Sequence, residues 1–201
     1  QSHTLLRQAL HLLENLTHRG AAGCDPCSGD GAGVHLQLPD EFFRAVSREL
    51  GFALPTPGKY AVGMLFLPQP EEDRQFCEMA MERALADTGL RLLGWRDVPV
   101  DPTAIGDEAR RTLPFVRQVF VSTGGGHGPE FERALYLARK HVERAVAGSG
   151  IAAASSFYVV SLSSRTIVYK GLLIPDQMDR FYPALADDRF STAIALVHSR
   201  F

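Results

Sequence analysis

Residues able to do chemistry are concentrated in the run THRGAAGCDPCSGDGAG, residues 17–33. The run contains Arg19, a Cys24-x-x-Cys27 pair, and glycines, whose lack of a side chain leaves the backbone accessible to a ligand. The pair has the spacing of half a zinc site, but a structural zinc needs four ligands. The remaining cysteine, Cys77, lies in a helical pattern, and a redox pair would open a helix instead of following one. The spacing therefore favours incidental loop cysteines over a metal or redox site.

Two glycine-rich runs, 28–33 and 123–127, could in principle hold a phosphate. The first lacks the Lys-Ser/Thr ending of a phosphate-binding loop and precedes a strand, whereas such loops precede a helix whose N-terminal amides bind the anion. The second precedes a helix but lacks the rest of a nucleotide fingerprint. Neither run predicts a nucleotide site, and the second is typical of a surface loop.

Two arginines stand beside small residues, Arg19 at the end of a helical pattern and Arg200 at the end of a strand pattern. A basic residue at a helix C-terminus is favourable without any function, so each arginine alone has a structural explanation. A guanidinium also binds a carboxylate bidentately. Two such arginines beside bare backbone would suit an amino-acid site.

The bulk composition places these residues in one medium-sized globular domain. The chain has 201 residues, 45% of them hydrophobic and 22% charged, with a formal net charge of −2. That balance gives no electrostatic reason to expect nucleic acid or an anionic membrane. No apolar run approaches the ~20 residues of a membrane span, and no signal peptide is visible. An odd number of cysteines, 3, favours a reducing compartment, and we expect a cytoplasmic location.

The hydrophobic pattern predicts strands that outnumber the helices without alternating with them, which favours an α+β fold over a doubly wound parallel sheet. We expect residues 157–163 and 166–174 to form paired strands with a turn at 163–165. Helices are predicted over 2–18, from 40 onward, over 70–88, 129–147 and 175–182; strands over 34–38, 59–67, 90–100, 115–122, 157–163, 166–174 and 193–201.

The final strand pattern, Ile194-Ala-Leu-Val197, is predicted to be buried, yet it runs directly to the last residue. A domain rarely ends on a central strand, and the chain also lacks an initial methionine. We therefore expect residues 1–201 to be a segment cut at both ends.

Taken together, the ordered motifs resemble the class II glutamine amidotransferases, in the variant found in the large subunit of glutamate synthase. Any one motif is weak, but the ordered set spans essentially the whole chain. The motifs are His18-Arg19-Gly20, Gly29-Asp-Gly-Ala-Gly33, Pro39-Asp-Glu-Phe-Phe43, Gly94-Trp-Arg-Asp-Val-Pro99, Tyr169-Lys-Gly171, Phe181-Tyr-Pro183 and His198-Ser-Arg-Phe201.

This resemblance implies an N-terminal-nucleophile hydrolase fold, a four-layer αββα sandwich with mostly antiparallel sheets, incomplete in this segment. It also implies a mechanism. An N-terminal cysteine attacks the glutamine side-chain amide, and its own α-amino group acts as general base. Ammonia leaves, and water releases glutamate. In glutamate synthase the ammonia then aminates 2-oxoglutarate at a second site that uses FMN and an iron–sulfur cluster.

By the same resemblance, the chain contains no catalytic residue. The nucleophilic cysteine is expected upstream of Gln1, and the Asn-Gly element of the oxyanion hole downstream of residue 201. Arg200 is the first candidate to bind the glutamine α-carboxylate. Arg19, with the turn at Asp30 and Gly31, is the second candidate, as a wall of the pocket or a loop-ordering residue, with the structural explanation of Arg19 still open.

The leading hypothesis is therefore a partial glutamine amidotransferase domain over residues 1–201, inactive alone and without a metal or cofactor of its own. Its expected partners are glutamine, the remaining domains of the large subunit, and an electron-donating subunit or ferredoxin. Two alternatives remain: another class II amidotransferase, or a non-catalytic domain that binds an amino acid or a partner.

Overall fold

The computed structural model describes residues 1–19, 25 and 27–199, with only the backbone at position 19. It divides into two compact units, which interleave along the sequence. Unit 1 comprises Gln1–Ala45, Pro99–Leu113 and Val168–Phe201, and unit 2 comprises Val46–Val98 and Pro114–Ile167. Each unit is assembled from non-contiguous stretches of chain, so the chain passes between the two units several times.

The regular elements of the described residues are helices and strands in irregular alternation. The α-helices are α1 His3–Asn15, α2 Asp40–Glu49, α3 Glu71–Asp87, α4 Asp107–Arg111, α5 Pro129–Ala147 and α6 Met178–Phe181. The strands are β1 Ala32–Gln37, β2 Tyr60–Leu67, β3 Leu90–Asp97, β4 Phe115–Thr123, β5 Tyr158–Ser163, β6 Thr166–Gly171 and β7 Ala195–His198. None of these helices is long and apolar enough to cross a lipid bilayer.

In unit 1, a three-stranded sheet has the order β6-β1-β7, and β1 runs antiparallel to β7. Helix α1 begins after Ser2, whose hydroxyl oxygen accepts a hydrogen bond from the Leu5 amide at 3.2 Å. Such a cap satisfies one of the amides that the first turn leaves without a helical partner. The buried face of α1 carries Leu6, Ala9, Leu10 and Leu13.

Aromatic rings fill the core of unit 1 around Phe190, which is fully buried. Its ring centroid lies 5.0 Å from that of Phe42 and 5.6 Å from that of Tyr169, which in turn contacts Tyr182. The Tyr182 hydroxyl donates to the Lys170 carbonyl at 2.8 Å, and burial raises the pKa of this phenol. The cluster therefore ties β6 to the segment after α6.

In unit 2, a four-stranded antiparallel sheet has the order β3-β4-β2-β5. Central strand β2 is buried along its whole length, which explains its unbroken apolar sequence. Helices α3 and α5 pack on this sheet through a core that includes Leu65, Met81, Val119 and Leu135. The predicted α+β class with antiparallel sheets is confirmed.

The predicted pairing of residues 157–163 with 166–174 is wrong. Strand β5 pairs with β2, whereas β6 belongs to the sheet with β1 and β7. The intervening turn is held by Glu132, whose carboxylate accepts from the Ser163 hydroxyl at 3.0 Å and the Ser164 amide at 2.7 Å. A local turn signal indicates where a strand ends, but the sheet that the next strand joins depends on distant residues.

The predicted burial of residues 194–197 is also wrong, since Ala195 and Val197 are only half-buried and the other two are exposed. Ile194, immediately before β7, and Leu196 within it are 61% and 62% exposed, so other described residues leave this side of the strand uncovered. Helix α4 was not predicted, since its short sequence Asp107-Glu-Ala-Arg-Arg111 has no apolar stripe. The remaining predicted helices and strands are present with boundaries shifted by a few residues, and α5 has the predicted bounds.

We predict that Phe190→Ala lowers the free energy of unfolding by about 3–5 kcal/mol, because truncation leaves a cavity among rigid rings. Chemical denaturation measures the loss. Tyr136→Ala is the matched control: this ring is 58% exposed, so the change should stay within about 0.5 kcal/mol. Equal losses for the two variants would contradict the assignment of Phe190 to the core.

Candidate functional site

At each of the three glycines of Gly29-Asp-Gly31-Ala-Gly33 a side chain would be unfavourable, for a different reason at each position. A Cβ at Gly29 would lie 2.6 Å from the Leu173 carbonyl oxygen. Gly31 has φ +120°, in the region that residues with a side chain rarely adopt. A Cβ at Gly33 would overlap the imidazole of His198 on the neighbouring strand. Close packing at Gly29 and Gly33, and the backbone conformation at Gly31, therefore explain why this motif consists of glycines.

The pairing of β1 with β7 brings two of the sequence motifs together. Gly33 lies directly opposite His198, so the beginning of β1 and the end of β7 meet at one end of the sheet. Ser199 follows there, and its hydroxyl oxygen is buried without a hydrogen-bond partner among the described residues. The glycine turn and the beginning of the His198-Ser199 motif thus form one corner of unit 1.

Of the predicted site residues, Asp30 and Gly31 belong to this corner. Asp30 is exposed and Gly31 is buried, immediately before β1. Arg19 ends a 3₁₀ turn, Thr17–Arg19, and its side chain lies outside the described residues. Arg200 also lies outside the described residues, directly after Ser199. The roles predicted for both arginines stay predictions.

The chain before the glycine turn is anchored to helix α4. The Asp25 carboxylate accepts from the Cys27 amide at 2.9 Å and the Ser28 hydroxyl at 2.7 Å, and the Ser28 oxygen accepts from the Ala109 amide at 3.3 Å. The Ser28 hydroxyl, followed by the Cys27 amide, lowers the pKa of Asp25, and the amides of Glu108 and Asp107 lower it further.

Helix α4 depends on these distant side chains because its own N-cap residue, Gly106, has none. A Cβ at Gly106 would overlap the Asp25 carboxylate. Asp25 and Ser28 therefore satisfy amides at the beginning of α4 that a local Ser, Thr or Asp would otherwise bind.

The Cys27 carbonyl oxygen is a second anchor. It accepts from the Gly106 amide and from the Gln177 side-chain Nε2, both at 2.9 Å. Gln177 was not among the predicted site residues. A sequence signal existed in Ile174-Pro-Asp-Gln177, where proline opens a turn and a Gln in its third position can bond back to the residue before it.

A cavity of about 240 Å³ lies between this anchored segment and α4. Carboxylates on its wall make it unsuitable for the α-carboxylate of an amino acid, which needs a cationic partner. The lining residues are Asp25, Ser28, Gly29, Asp30, Glu108, Ala109, Thr112 and Leu172.

The two described cysteines differ in environment. Cys77 is fully buried in α3, and burial, with Asp73 and Glu78 nearby, raises the pKa of its thiol to about 11. Cys27 is exposed. Cys24 lies outside the described residues. Among the residues described, no three His, Cys, Asp or Glu side chains group as metal ligands.

The Gly94-Trp-Arg motif serves packing within unit 2. A Cβ at Gly94 would overlap the Phe52 ring, and the Trp95 indole donates to Glu82 at 2.9 Å. The buried Arg96 donates to the Gln118 side-chain oxygen at 2.9 Å. In this chain the motif therefore contributes to the packing of the four-stranded sheet.

We predict that iodoacetamide modifies Cys27 in the folded protein but leaves Cys77 unmodified from pH 7 to pH 9. Only a thiolate reacts, and Cys77 stays protonated below about pH 11 as well as inaccessible. Peptide mass spectrometry in a Cys24→Ser background measures both sites, with the urea-unfolded protein as control. Rapid native modification of Cys77 would contradict its buried position.

The sequence motifs described above belong to a known protein family, as comparison with known proteins shows. The family model of class II glutamine amidotransferases matches residues 1–201. The glutamate synthase [NADPH] large chain of Bacillus subtilis is 45% identical over 203 residues, covering 100% of this chain and 13% of that protein. The glutamate synthase [NADH] of Saccharomyces cerevisiae is 40% identical over 207 residues, covering 100% of this chain and 10% of that protein.

A plant relative also matches over the full length of this chain. The ferredoxin-dependent glutamate synthase 2, chloroplastic, of Arabidopsis thaliana is 38% identical over 201 residues, covering 100% of this chain and 12% of that protein. The chain thus spans 10% to 13% of the length of these relatives. The family match over the full chain, with the glycine turn and the His198-Ser199 motif at one sheet end, shows that the chain belongs to the class II glutamine amidotransferases.

Proposed function

We propose that the chain is part of the glutaminase domain of a glutamate synthase. The observation that carries the proposal is the β1–β7 register, which brings the Gly29–Gly33 turn and the His198-Ser199 motif to one corner. The relatives named above are all glutamate synthases, which favours this function over another class II amidotransferase or a non-catalytic binding domain.

In the proposed reaction, a cysteine thiolate attacks the side-chain carbonyl carbon of glutamine. The carbon–nitrogen bond breaks, ammonia leaves with a proton, and a glutamyl thioester remains. Water then cleaves the thioester to glutamate and the free thiol. The general base is the α-amino group of that same N-terminal cysteine. Cys77 is buried as a thiol, and Cys24 and Cys27, like Cys77, are internal residues without a free α-amine. We therefore assign the nucleophile to a cysteine outside this segment.

Arg200 is proposed to bind the α-carboxylate of glutamine through its guanidinium. Arg19, Asp30 and Gly31 are proposed to form the opposite wall. The acidic cavity beside Asp30 supports this division, because it disfavours the carboxylate and leaves an arginine to bind it.

The remainder of the parent protein is proposed to use the released ammonia to aminate 2-oxoglutarate, with FMN and an iron–sulfur cluster outside this segment. The names of the relatives include NADPH, NADH and ferredoxin, so similarity to them does not identify the electron donor of the parent. An electron-donating subunit or ferredoxin is the partner expected for the parent, and a cytoplasmic location stays a prediction.

The test is glutamine hydrolysis by the intact parent polypeptide. We predict that Arg200→Ala raises the KM for glutamine about 10- to 100-fold, the effect of losing a charged bidentate contact, and that Arg200→Lys has a smaller effect. Arg91→Ala, at an exposed position of β3, is the control and should leave the KM unchanged.

An unchanged KM in Arg200→Ala would place the carboxylate site elsewhere. We also expect residues 1–201 alone to release no glutamate from glutamine. Measurable release that disappears in Cys27→Ser would show that the nucleophile lies within the chain.

A further inference from the structure

We propose that Gln177 is a positioning residue for the glutamine site: its buried side-chain amide fixes the segment that leads into the Asp30-Gly31 turn. The inference rests on the proposed function, because it is that function which gives the turn a substrate to face. Gln177 itself is not expected to contact glutamine.

The Gln177 side chain is 2% exposed, and both ends of its amide are bonded within unit 1. Its Nε2 donates to the Cys27 carbonyl oxygen at 2.9 Å, and its Oε1 accepts from the Ile174 amide at 3.0 Å. The acceptor bond is local and closes a turn. The donor bond spans 150 residues of sequence and reaches the segment before the glycine turn.

The Cys27 carbonyl joins three stretches of chain, because the Gly106 amide also donates to it at 2.9 Å. On the α4 side, Asp25 and Ser28 bind the beginning of the helix. On the Gln177 side, Gly29 packs against the backbone of Leu173. The segment is therefore held from both sides, and the exposed Asp30 comes immediately after the last of these contacts.

A buried amide has a cost that an apolar residue at this position would avoid, since each of its polar atoms must find a partner. Gln177→Leu keeps a similar volume but removes both hydrogen bonds. The Ile174 amide then loses its acceptor, and the Cys27 carbonyl keeps only the Gly106 amide. Loss of one of the two donors lets the segment shift, and small displacements of substrate-positioning groups have large effects on binding and turnover.

The experiment compares Gln177→Leu and Val142→Ala in the intact parent polypeptide. Val142 is fully buried in α5 of unit 2, so its truncation reduces stability without touching this segment. We expect Gln177→Leu to raise the KM for glutamine about tenfold. The rate of 2-oxoglutarate amination with ammonia supplied directly should be unchanged, and Val142→Ala should alter neither quantity.

A second measurement reports on the anchor without activity. Amide hydrogen exchange of the peptide containing residues 27–31 should be faster in Gln177→Leu than in the wild type, and unchanged in Val142→Ala. Gln177→Glu provides a variant that keeps size and the Oε1 acceptor. Its carboxylate repels the Cys27 carbonyl at pH 8, whereas the protonated acid donates to it, so the KM defect should shrink as the pH falls.

An unchanged KM and unchanged exchange in Gln177→Leu would overturn the proposal. So would equal effects of Gln177→Leu and Val142→Ala. A wild-type parent that releases no glutamate from glutamine would instead reject the proposed function, and the exchange measurement would still decide whether Gln177 holds the segment. If Gln177→Leu fails to fold, the pH dependence of Gln177→Glu decides, and a pH-independent KM contradicts the proposal.

Discussion

The corner of unit 1 is closely packed at Gly33, which has no side chain. At Gly33 a Cβ would overlap the His198 imidazole and lie 2.8 Å from the Lys170 Cβ, so a larger residue there would displace side chains on both neighbouring strands while β1 and β7 keep the observed register opposite one another. That register aligns the beginning of one strand with the end of the other. The turn at Gly31 and the segment after His198 are neighbours for this reason, although 165 positions separate Gly33 from His198 along the chain.

Much of the secondary structure could be predicted, because it follows from local chemistry. Helix α5 was predicted with the observed bounds, since Pro129 fixes its first turn and apolar residues recur with helical spacing. The partners of β5 and β6 could not be predicted, because the turn between them gives no information on which sheet each strand joins. The exposed face of β7 was missed for a related reason: an apolar run does not reveal which of its residues distant elements cover.

For the site, sequence order was more informative than any single residue. The cysteines have the most suggestive spacing, yet Cys77 is a buried thiol and Cys27 contributes mainly its backbone carbonyl. Gln177 shows the opposite: it attracts little attention in the sequence but makes important contacts in the structure. The proline-opened turn at residues 174–177 indicates only the local hydrogen bond of Gln177, and the wider importance of this residue is visible only when its partner, 150 residues away, is known. The Gly94-Trp-Arg motif adds to the family resemblance while serving the unit 2 sheet.

The interleaving of the two units has a consequence for biosynthesis. Unit 2 lies entirely within residues 46–167, whereas unit 1 begins before that stretch and ends after it. A chain emerging from the ribosome can complete the four-stranded sheet before β6 and β7 exist. Strand β1 is made well before β6 and β7, its partners in the three-stranded sheet, so this sheet can form only after the residues of unit 2 have been made. Of the two units, unit 2 can therefore be completed first during synthesis, although unit 1 contains the earlier residues.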